Sequence, residues 1–339
     1  YYYHAKCAKE LFASDAVNLY QKFLLDFPFT SFRYKVNEDL AFLYLREKDY
    51  ARAIPFLEGL EDLDVQPYLM FNLAYAYFIT DSLIEAQYYF SKIINIDSKY
   101  APAAQYYSAY IAYRNGFYQS ALDGFLGLVS DDQFGAIAPY YITQLYFFQQ
   151  RYEELILFLV PILDRVVSSR KTEVNRLLAE AYYRTGSYND AISYFNTYIE
   201  QEKDVVSPID YFLLGQSYFK TMQYTEAIPY LEMASNASDS IVQYAMYCLG
   251  ASYLKLQQYN YALQAFKKSA SYSYNLTIKE DAYYNYAKLS YQLDLPFDNT
   301  LDVFRTYLST YNNELHRKEI ESLMVNVFQS SSKYDEALQ

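Results

Sequence analysis

The chain has 339 residues, 53% hydrophobic and 20% charged, a balance that excludes a disordered chain. Its formal net charge of −12 disfavours nucleic acid or an anionic membrane as the main partner, since both call for cationic surface. With 45 Tyr, 23 Phe and no Trp the aromatic content is unusual, and only 8 Gly argue against folds that need many tight turns.

In chain order, helix pairs are predicted, and each second helix carries a small residue. These are Ala16, Ala53, Ala86, Ala121, Leu155, Ala191, Ala227, Ala262, Thr300 and Ala337, at intervals of 33 to 38. Three residues before them stand Tyr50, Tyr118, Tyr152, Tyr188, Tyr224, Tyr259, Phe297 and Tyr334, with Ala13 and Leu83 as exceptions. Nine before them stand Tyr44, Tyr77, Tyr146, Tyr182, Tyr218, Tyr253 and Tyr291. Four after them stand Tyr20, Leu57, Phe90, Phe125, Leu159, Phe195, Leu231, Phe266 and Phe304. A small residue lets two helices approach, and the aromatic rings fill the space beside it. One such hairpin cannot bury both its apolar faces, so a stacked array follows.

Residues 177 to 195, LLAEAYYRTGSYNDAISYF, show the unit most clearly. An apolar run ends at Thr185-Gly186, and Ser187 with Asp190 is expected to form a capping box for the second helix. Pro28, Pro67, Pro102, Pro139 and Pro208 fall between hairpins, whereas Pro55 and Pro229 lie early in second helices. The ninth unit is the weakest, because LDLPFDN at 293 to 299 replaces the usual turn and Thr300 replaces Ala.

The L-A/G-x-x-Y, Y-x-x-A and A-x-x-x-F spacings resemble the tetratricopeptide repeat, as in Leu178-Ala179-Tyr182, Leu214-Gly215-Tyr218 and Leu249-Gly250-Tyr253. The resemblance covers essentially the whole chain. It departs from the family pattern in having no Trp and in keeping the closing proline only at Pro28. It implies an all-α, right-handed superhelical solenoid of about nine hairpins plus a partial tenth, in a single continuous array over 1–339. Tyr1 already lies inside a first helix and Gln339 stops two residues after Ala337. The expectation is therefore a segment of a longer array, or ends covered by neighbouring domains.

Chemistry has little foothold in the sequence. His4 and His316 are the two histidines, at opposite ends, and no HExxH, GxSxG or glycine-rich phosphate loop occurs. His4 is expected to replace the small residue of a first helix and Cys7 its Tyr. Cys7 and Cys248 lie too far apart in such an array to form a disulfide. Asp131-Asp132 reads as solvated linker, and the sequons at Asn236 and Asn275 read as coincidence. No stretch approaches the roughly 18 apolar residues of a membrane span. No signal peptide is present, although the absence of an initiator Met leaves a removed leader or anchor open. No enzymatic activity, cofactor or metal is expected.

Positions 15, 11 and 8 before the small residue share one face of the first helix, which the resemblance implies lines the concave groove. They read Phe71, Tyr75, Phe78, then Tyr106, Tyr110, Tyr113, then Tyr140, Gln144, Phe147. In the next two hairpins they become Arg176, Glu180, Tyr183 and Phe212, Gln216, Phe219. Two readings stand side by side: a stripe buried between neighbouring first helices, or an aromatic groove for an extended peptide or partner helix. The candidate groove residues are Phe71, Tyr75, Phe78, Tyr106, Tyr110, Tyr113, Tyr140, Phe147 and Tyr183.

Seven before the small residue stand Lys9, Arg46, Arg114, Arg184, Lys220 and Lys255. They read either as cations complementing helix C-termini or as a basic rim, formed by Arg114, Arg184, Lys220 and Lys255, for acidic side chains of a ligand. The family's carboxylate-binding pattern needs Lys and Asn on successive first helices, and these positions hold Tyr, Phe and Glu instead.

The resulting expectation is a non-catalytic protein-interaction scaffold with a protein or peptide partner. The alternatives are a carbohydrate-binding surface protein, or a domain of a larger protein whose catalytic or signalling part lies outside this segment. Self-association is a further expectation of a Tyr-rich surface. Residues 19 to 58, with Tyr20-x-x-Phe23, Phe27-Pro28 and Ser31, resemble repeats of bacterial outer-membrane assembly lipoproteins. That resemblance implies a periplasmic or outer-membrane-associated location, with the cytoplasm as the alternative.

Overall fold

A computed structural model describes residues 1–60, 66–202, 206–294 and 297–330, and among these every regular element is a helix. Ala337 and Tyr334 of the repeat pattern lie outside the described residues, as do residues 295 and 296 of the ninth turn. The chain divides into two compact units, the first comprising Tyr1–Gln149 with Ile162–Val167, the second Gln150–Pro161 with the chain from Ser168 on.

The first unit opens with the pairs α1 (Tyr2–Glu10) and α2 (Ala16–Asp26), α3 (Arg33–Arg46) and α4 (Tyr50–Glu58), and α5 (Pro67–Ile79) and α6 (Leu83–Ile93). It continues with α7 (Ala101–Arg114), α8 (Tyr118–Leu126) and α9 (Ala138–Phe148). The segment from Ile162 to Val167 is tied to this unit, Arg165 Nη2 donating to the Val129 carbonyl at 2.8 Å and Val167 N to the Ala136 carbonyl at 2.9 Å.

The second unit opens with α10 (Tyr152–Leu159), followed by the pairs α11 (Lys171–Arg184) and α12 (Tyr188–Gln201), and α13 (Pro208–Lys220) and α14 (Tyr224–Ala234). The pairs α15 (Ser240–Lys255) and α16 (Tyr259–Ser271), and α17 (Leu276–Gln292) and α18 (Phe297–Thr310), come next, and α19 (Glu314–Ser330) ends it. Within each unit a helix packs mainly on its sequence neighbours, and first helices such as α13 and α15 also touch one another.

The repeat pattern is the core. Ala16, Ala53, Ala86, Ala121, Leu155, Ala191, Ala227, Ala262 and Thr300 are all buried, and so is every residue four positions later from Tyr20 to Phe304. The close approach can be read at Gly250 on α15, where an added Cβ would fall 2.8 Å from the Phe266 ring of α16. Beside Ala86, Ala191 and Ala227 two rings stack across the hairpin. Tyr77 lies on Tyr89, Tyr182 on Tyr194 and Tyr218 on Tyr230, at centroid distances of 5.9, 5.4 and 5.6 Å with planes within 8° of parallel.

Pro67, Pro102, Pro139 and Pro208 each occupy the first turn of a first helix, where the missing N–H leaves no bond unmade. Pro55 and Pro229 lie inside α4 and α14.

Two sequence expectations need correction. Ser187 stands at the N-cap of α12, but its side chain makes no capping hydrogen bond, so no capping box forms. The turn is closed from the preceding helix. Gly186 takes φ +82°, and the Ser187 N–H reaches back to the Tyr182 carbonyl at 2.9 Å, the reciprocal pairing that ends a helix at a left-handed residue.

The same closure recurs at Lys48, Asp81, Gly116, Met222 and Gln257, each at positive φ five residues before its small residue. The second correction concerns His4 and Cys7. Ala5, one residue further on, is the buried small residue of α1, and His4 and Cys7 are exposed. Ala287 is likewise buried where strict spacing would have chosen Lys288, so the links of the first and ninth hairpins differ from the others by one residue.

Candidate functional site

In the first unit the aromatic stripe on α5, α7 and α9 forms one connected sheet of rings. Phe71, Tyr75 and Phe78 follow one another down α5 with centroids 6.2 and 6.3 Å apart. All three converge on Tyr107 of α7, at 6.2, 5.3 and 5.0 Å. Phe78 then meets Tyr110 at 5.8 Å, and Tyr110 meets Tyr113 at 6.4 Å. On the next helix Tyr141 collects Tyr106, Tyr110 and Tyr113 at 6.0, 5.8 and 5.7 Å.

The stripe is neither fully core nor fully open. Phe71, Tyr75, Phe78, Tyr106, Tyr110, Tyr113 and Phe147 are half-buried, and Tyr140 is buried. Phe71, Tyr75, Phe78, Tyr106, Tyr110 and Tyr113 each press against a ring of a neighbouring first helix. The hydroxyls of Tyr106, Tyr113 and Tyr140 are paired as well. Tyr106 donates to the Tyr141 hydroxyl at 3.3 Å. Tyr113 donates to Gln144 Oε1 at 2.8 Å, and Gln144 Nε2 donates to the Tyr140 hydroxyl at 2.8 Å. Burial raises the phenol of Tyr106 and pushes that of Tyr107 up to about 12, with neighbouring phenols adding to it.

Tyr107 and Tyr141 are the residues that the stripe pattern missed. Both stand one residue beyond its first member, on the shoulder that faces the adjacent first helix. Their common signal is a Tyr-Tyr pair, Tyr106-Tyr107 and Tyr140-Tyr141, at the start of the stripe.

In the second unit the corresponding face carries the charges of Arg176 and Glu180 on α11, whereas on α13 it reads Phe212, Gln216 and Phe219. Tyr183 donates its hydroxyl to Gln216 Oε1, and burial raises its phenol. Gln216 Nε2 in turn lies 4.0 Å from the Cys248 sulfur, a buried thiol pushed up to about 11 by desolvation. Arg176 Nη1 sits 3.8 Å from Glu180 and 3.6 Å from Asp210, and Arg184 Nη2 pairs with Glu180 at 2.8 Å. Asp210 is 3% exposed and accepts the Tyr198 hydroxyl at 3.2 Å, but its Oδ1 has no hydrogen bond. Burial outweighs the nearby guanidinium and raises its carboxyl above the usual range.

The basic positions stand at first-helix C-termini. Arg114 pairs with Asp81 at 3.1 Å and Arg184 is held by Glu180, so neither is an unanswered charge. Lys220 and Lys255 are exposed, and neither has an ion pair among the described residues. Asp131 does more than fill a linker, because its Oδ1 accepts from both Gln133 N and Phe134 N at 2.9 Å. Asn275 is likewise engaged, with Oδ1 capping α17 through Ile278 N at 3.1 Å and Nδ2 donating to the Tyr244 hydroxyl at 2.9 Å. Among the described residues no group of three or more His, Cys, Asp or Glu converges as metal ligands. No helix there is long and apolar enough to cross a membrane.

Paired helices, buried small residues and left-handed turns, repeated at this period, define a helical-hairpin repeat protein of the tetratricopeptide class. The chain has the fold of a tetratricopeptide-repeat array. Residues 202–269, which hold α13 to α15 and α16 as far as Ser269, match the family described as anaphase-promoting complex, cyclosome, subunit 3. No curated protein matches the sequence.

Among solved structures, the chain is similar to YrrB, described as a TPR protein with an unusual peptide-binding site. The identity is 16%, the TM-score 0.48, and the match covers 60% of this chain and all of that one. A tetratricopeptide repeat protein from Parabacteroides merdae is 19% identical over 74% of this chain and 97% of its own, with a TM-score of 0.43. A chain of the Naa15/Naa10 structure bound to HypK-THB is 14% identical, with a TM-score of 0.50, over 88% of this chain and 46% of its own. Similarity at these identities concerns the fold.

Proposed function

We propose that this chain is a non-catalytic scaffold that binds an extended peptide segment or partner helix along the first-helix face of α5, α7 and α9. The observation that carries the reading is the connected, half-exposed ring surface running from Phe71 to Tyr113, with Phe147 beyond it. The hydroxyls of Tyr106 and Tyr113 are already paired and the rings pack on one another, so a ligand would meet a pre-ordered surface and little side-chain entropy would be lost on binding. Repeat arrays of this kind use the face lined by successive first helices as an extended binding surface. Tyr183 belongs to the second unit and would serve that unit's own face. A bacterial envelope location is supported by the resemblance of residues 19 to 58.

The test compares wild type with Tyr110→Ala/Tyr113→Ala and Tyr110→Phe/Tyr113→Phe, with helicity checked by circular dichroism. Binding partners are recovered from native extract and then re-measured as purified components. A partner retained by wild type and the Phe variant, and weakened at least tenfold by the folded Ala variant, is expected. Equal binding by all three folded proteins would remove this face from consideration.

A further inference from the structure

Between α1, α3 and α5 lies an open cavity of about 540 Å³. It continues the first-helix register of the aromatic stripe, because Glu38, Phe42 and Leu45 stand 15, 11 and 8 residues before Ala53, and Arg46 stands seven before it. Its apolar wall is formed by Phe42, Leu45, Leu57 and Leu69. Phe42 is 51% exposed, and Lys9 Nζ stands 5.1 Å from its ring centroid.

The charges around this wall are answered, with one exception. Lys9 forms an ion pair with Asp39, whose other oxygen accepts the Tyr20 hydroxyl at 2.6 Å. Glu38 accepts the Tyr68 hydroxyl at 3.0 Å. Arg46 is exposed at the mouth, its guanidinium carbon 4.9 Å over the Phe12 ring, and among the described residues it has no carboxylate partner. Stacking on Phe12 holds the guanidinium's plane while leaving its edge N–H groups available for a carboxylate.

We propose that this cavity anchors one large apolar side chain of a bound peptide segment, with an acidic side chain two residues away received by Arg46. The inference rests on the groove reading above and supplies the chemistry of the ligand. The spacing follows from geometry. Phe42 and Arg46 are one helical turn apart, about 6 Å along the axis. Two residues of an extended peptide span about 7 Å and place their side chains on the same face. An apolar-x-acidic segment therefore matches both contacts, whereas a basic residue at the second position meets like charge.

The experiment uses the full 339-residue chain and a set of immobilised twelve-residue peptides in a Gly/Ser background. Each peptide carries a central Phe or Leu, with Glu, Ala or Lys two positions further on. Wild type is expected to bind the Glu peptides at least tenfold more tightly than the Lys peptides, and Arg46→Glu to invert that order. Phe42→Ser is expected to abolish the preference for Phe or Leu over a Ser control. Both side chains are exposed, so both variants are expected to keep wild-type helicity.

Absence of binding by wild type, or a charge preference that survives Arg46→Glu, overturns the proposal. If Tyr110→Ala abolishes binding while Phe42→Ser and Arg46→Glu leave it unchanged, the anchor falls and the ring surface stands.

Discussion

The ring of Tyr107 stacks on that of Phe90, with centroids 5.5 Å apart and planes 15° from parallel. Phe90 is the fully buried residue four positions after Ala86, so this contact ties the first helix of one hairpin to the second helix of the hairpin before it. Tyr107→Ala removes that contact together with those to Phe71, Tyr75 and Phe78. It is expected to destabilise the first unit by about 3 kcal/mol, towards the lower end of aromatic truncations because the site is not fully sealed. Tyr110→Ala is expected to lose about 1 kcal/mol. Denaturant unfolding followed by circular dichroism measures both, and equal losses would contradict the division of labour between the two rings.

The hairpin turns give a second prediction. Gln257 and Met222 sit at φ +58° and +62°, where an L side chain is strained by roughly 1–2 kcal/mol. Gln257→Gly and Met222→Gly are each expected to stabilise by about 0.5–1 kcal/mol, after allowing for the greater freedom of glycine in the unfolded chain. Gly186→Ala, at φ +82°, should destabilise by about 1 kcal/mol. A lower unfolding midpoint in the Gly variants would show that these side chains make contacts that outweigh the strain.

The pH profile follows from the phenols. Burial, joined by hydrogen bonds to Glu38 and Glu232, pushes Tyr68 and Tyr253 up to about 12, and burial with Tyr75 nearby does the same for Tyr107. A phenol raised in the folded chain stays protonated there while its unfolded counterpart ionises near pH 10. Stability from these groups is therefore full below about pH 10 and falls as pH rises towards about 12. Titration by tyrosinate absorbance alongside circular dichroism should show these phenols ionising late, together with loss of helix. A smooth titration with intact helix would contradict it.

Asp210 is a carboxyl shifted in the same direction. Its carboxyl is raised chiefly by burial, so its charged form opposes folding, and its contribution to stability is lost as pH rises through its folded value. Asp210→Asn keeps an acceptor for the Tyr198 hydroxyl and removes the buried charge. Its stability at pH 7 is expected to equal or exceed that of wild type, and a loss above about 2 kcal/mol would show that the Arg176 pairing dominates.

Much of the fold was legible because its cause is local and periodic. The Ala-to-Phe spacing from Ala191 to Phe195 is one helical turn, and the same turn is buried in every described hairpin. What escaped was set by neighbours. Ala5 and Ala287 displaced His4 and Lys288 from the small-residue position because the helix links around them change by one residue, which a strict interval count does not register. The choice between buried and open readings of Tyr75 or Tyr110 had no single answer in sequence, because each ring is half-buried by a helix some thirty residues away.

The abundance of Tyr over Phe also becomes intelligible only in three dimensions. Tyr20, Tyr77, Tyr247, Tyr284 and Tyr307 each donate to a carboxylate on another helix, Asp39, Glu58, Asp281, Glu319 and Glu280 respectively.

Those hydroxyl-to-carboxylate links make the hairpins poor interchangeable parts. Tyr247 finds its acceptor on the following first helix, as does Tyr284, whereas Tyr68 finds Glu38 on the preceding one. A hairpin excised and grafted elsewhere in the array would keep its Ala and its rings but meet the wrong neighbour. A phenol would then be left without its acceptor, or a carboxylate without its donor. Duplication or deletion of one hairpin should therefore be tolerated less well here than in an array whose joints are purely apolar. The order of the hairpins is written into the tyrosines.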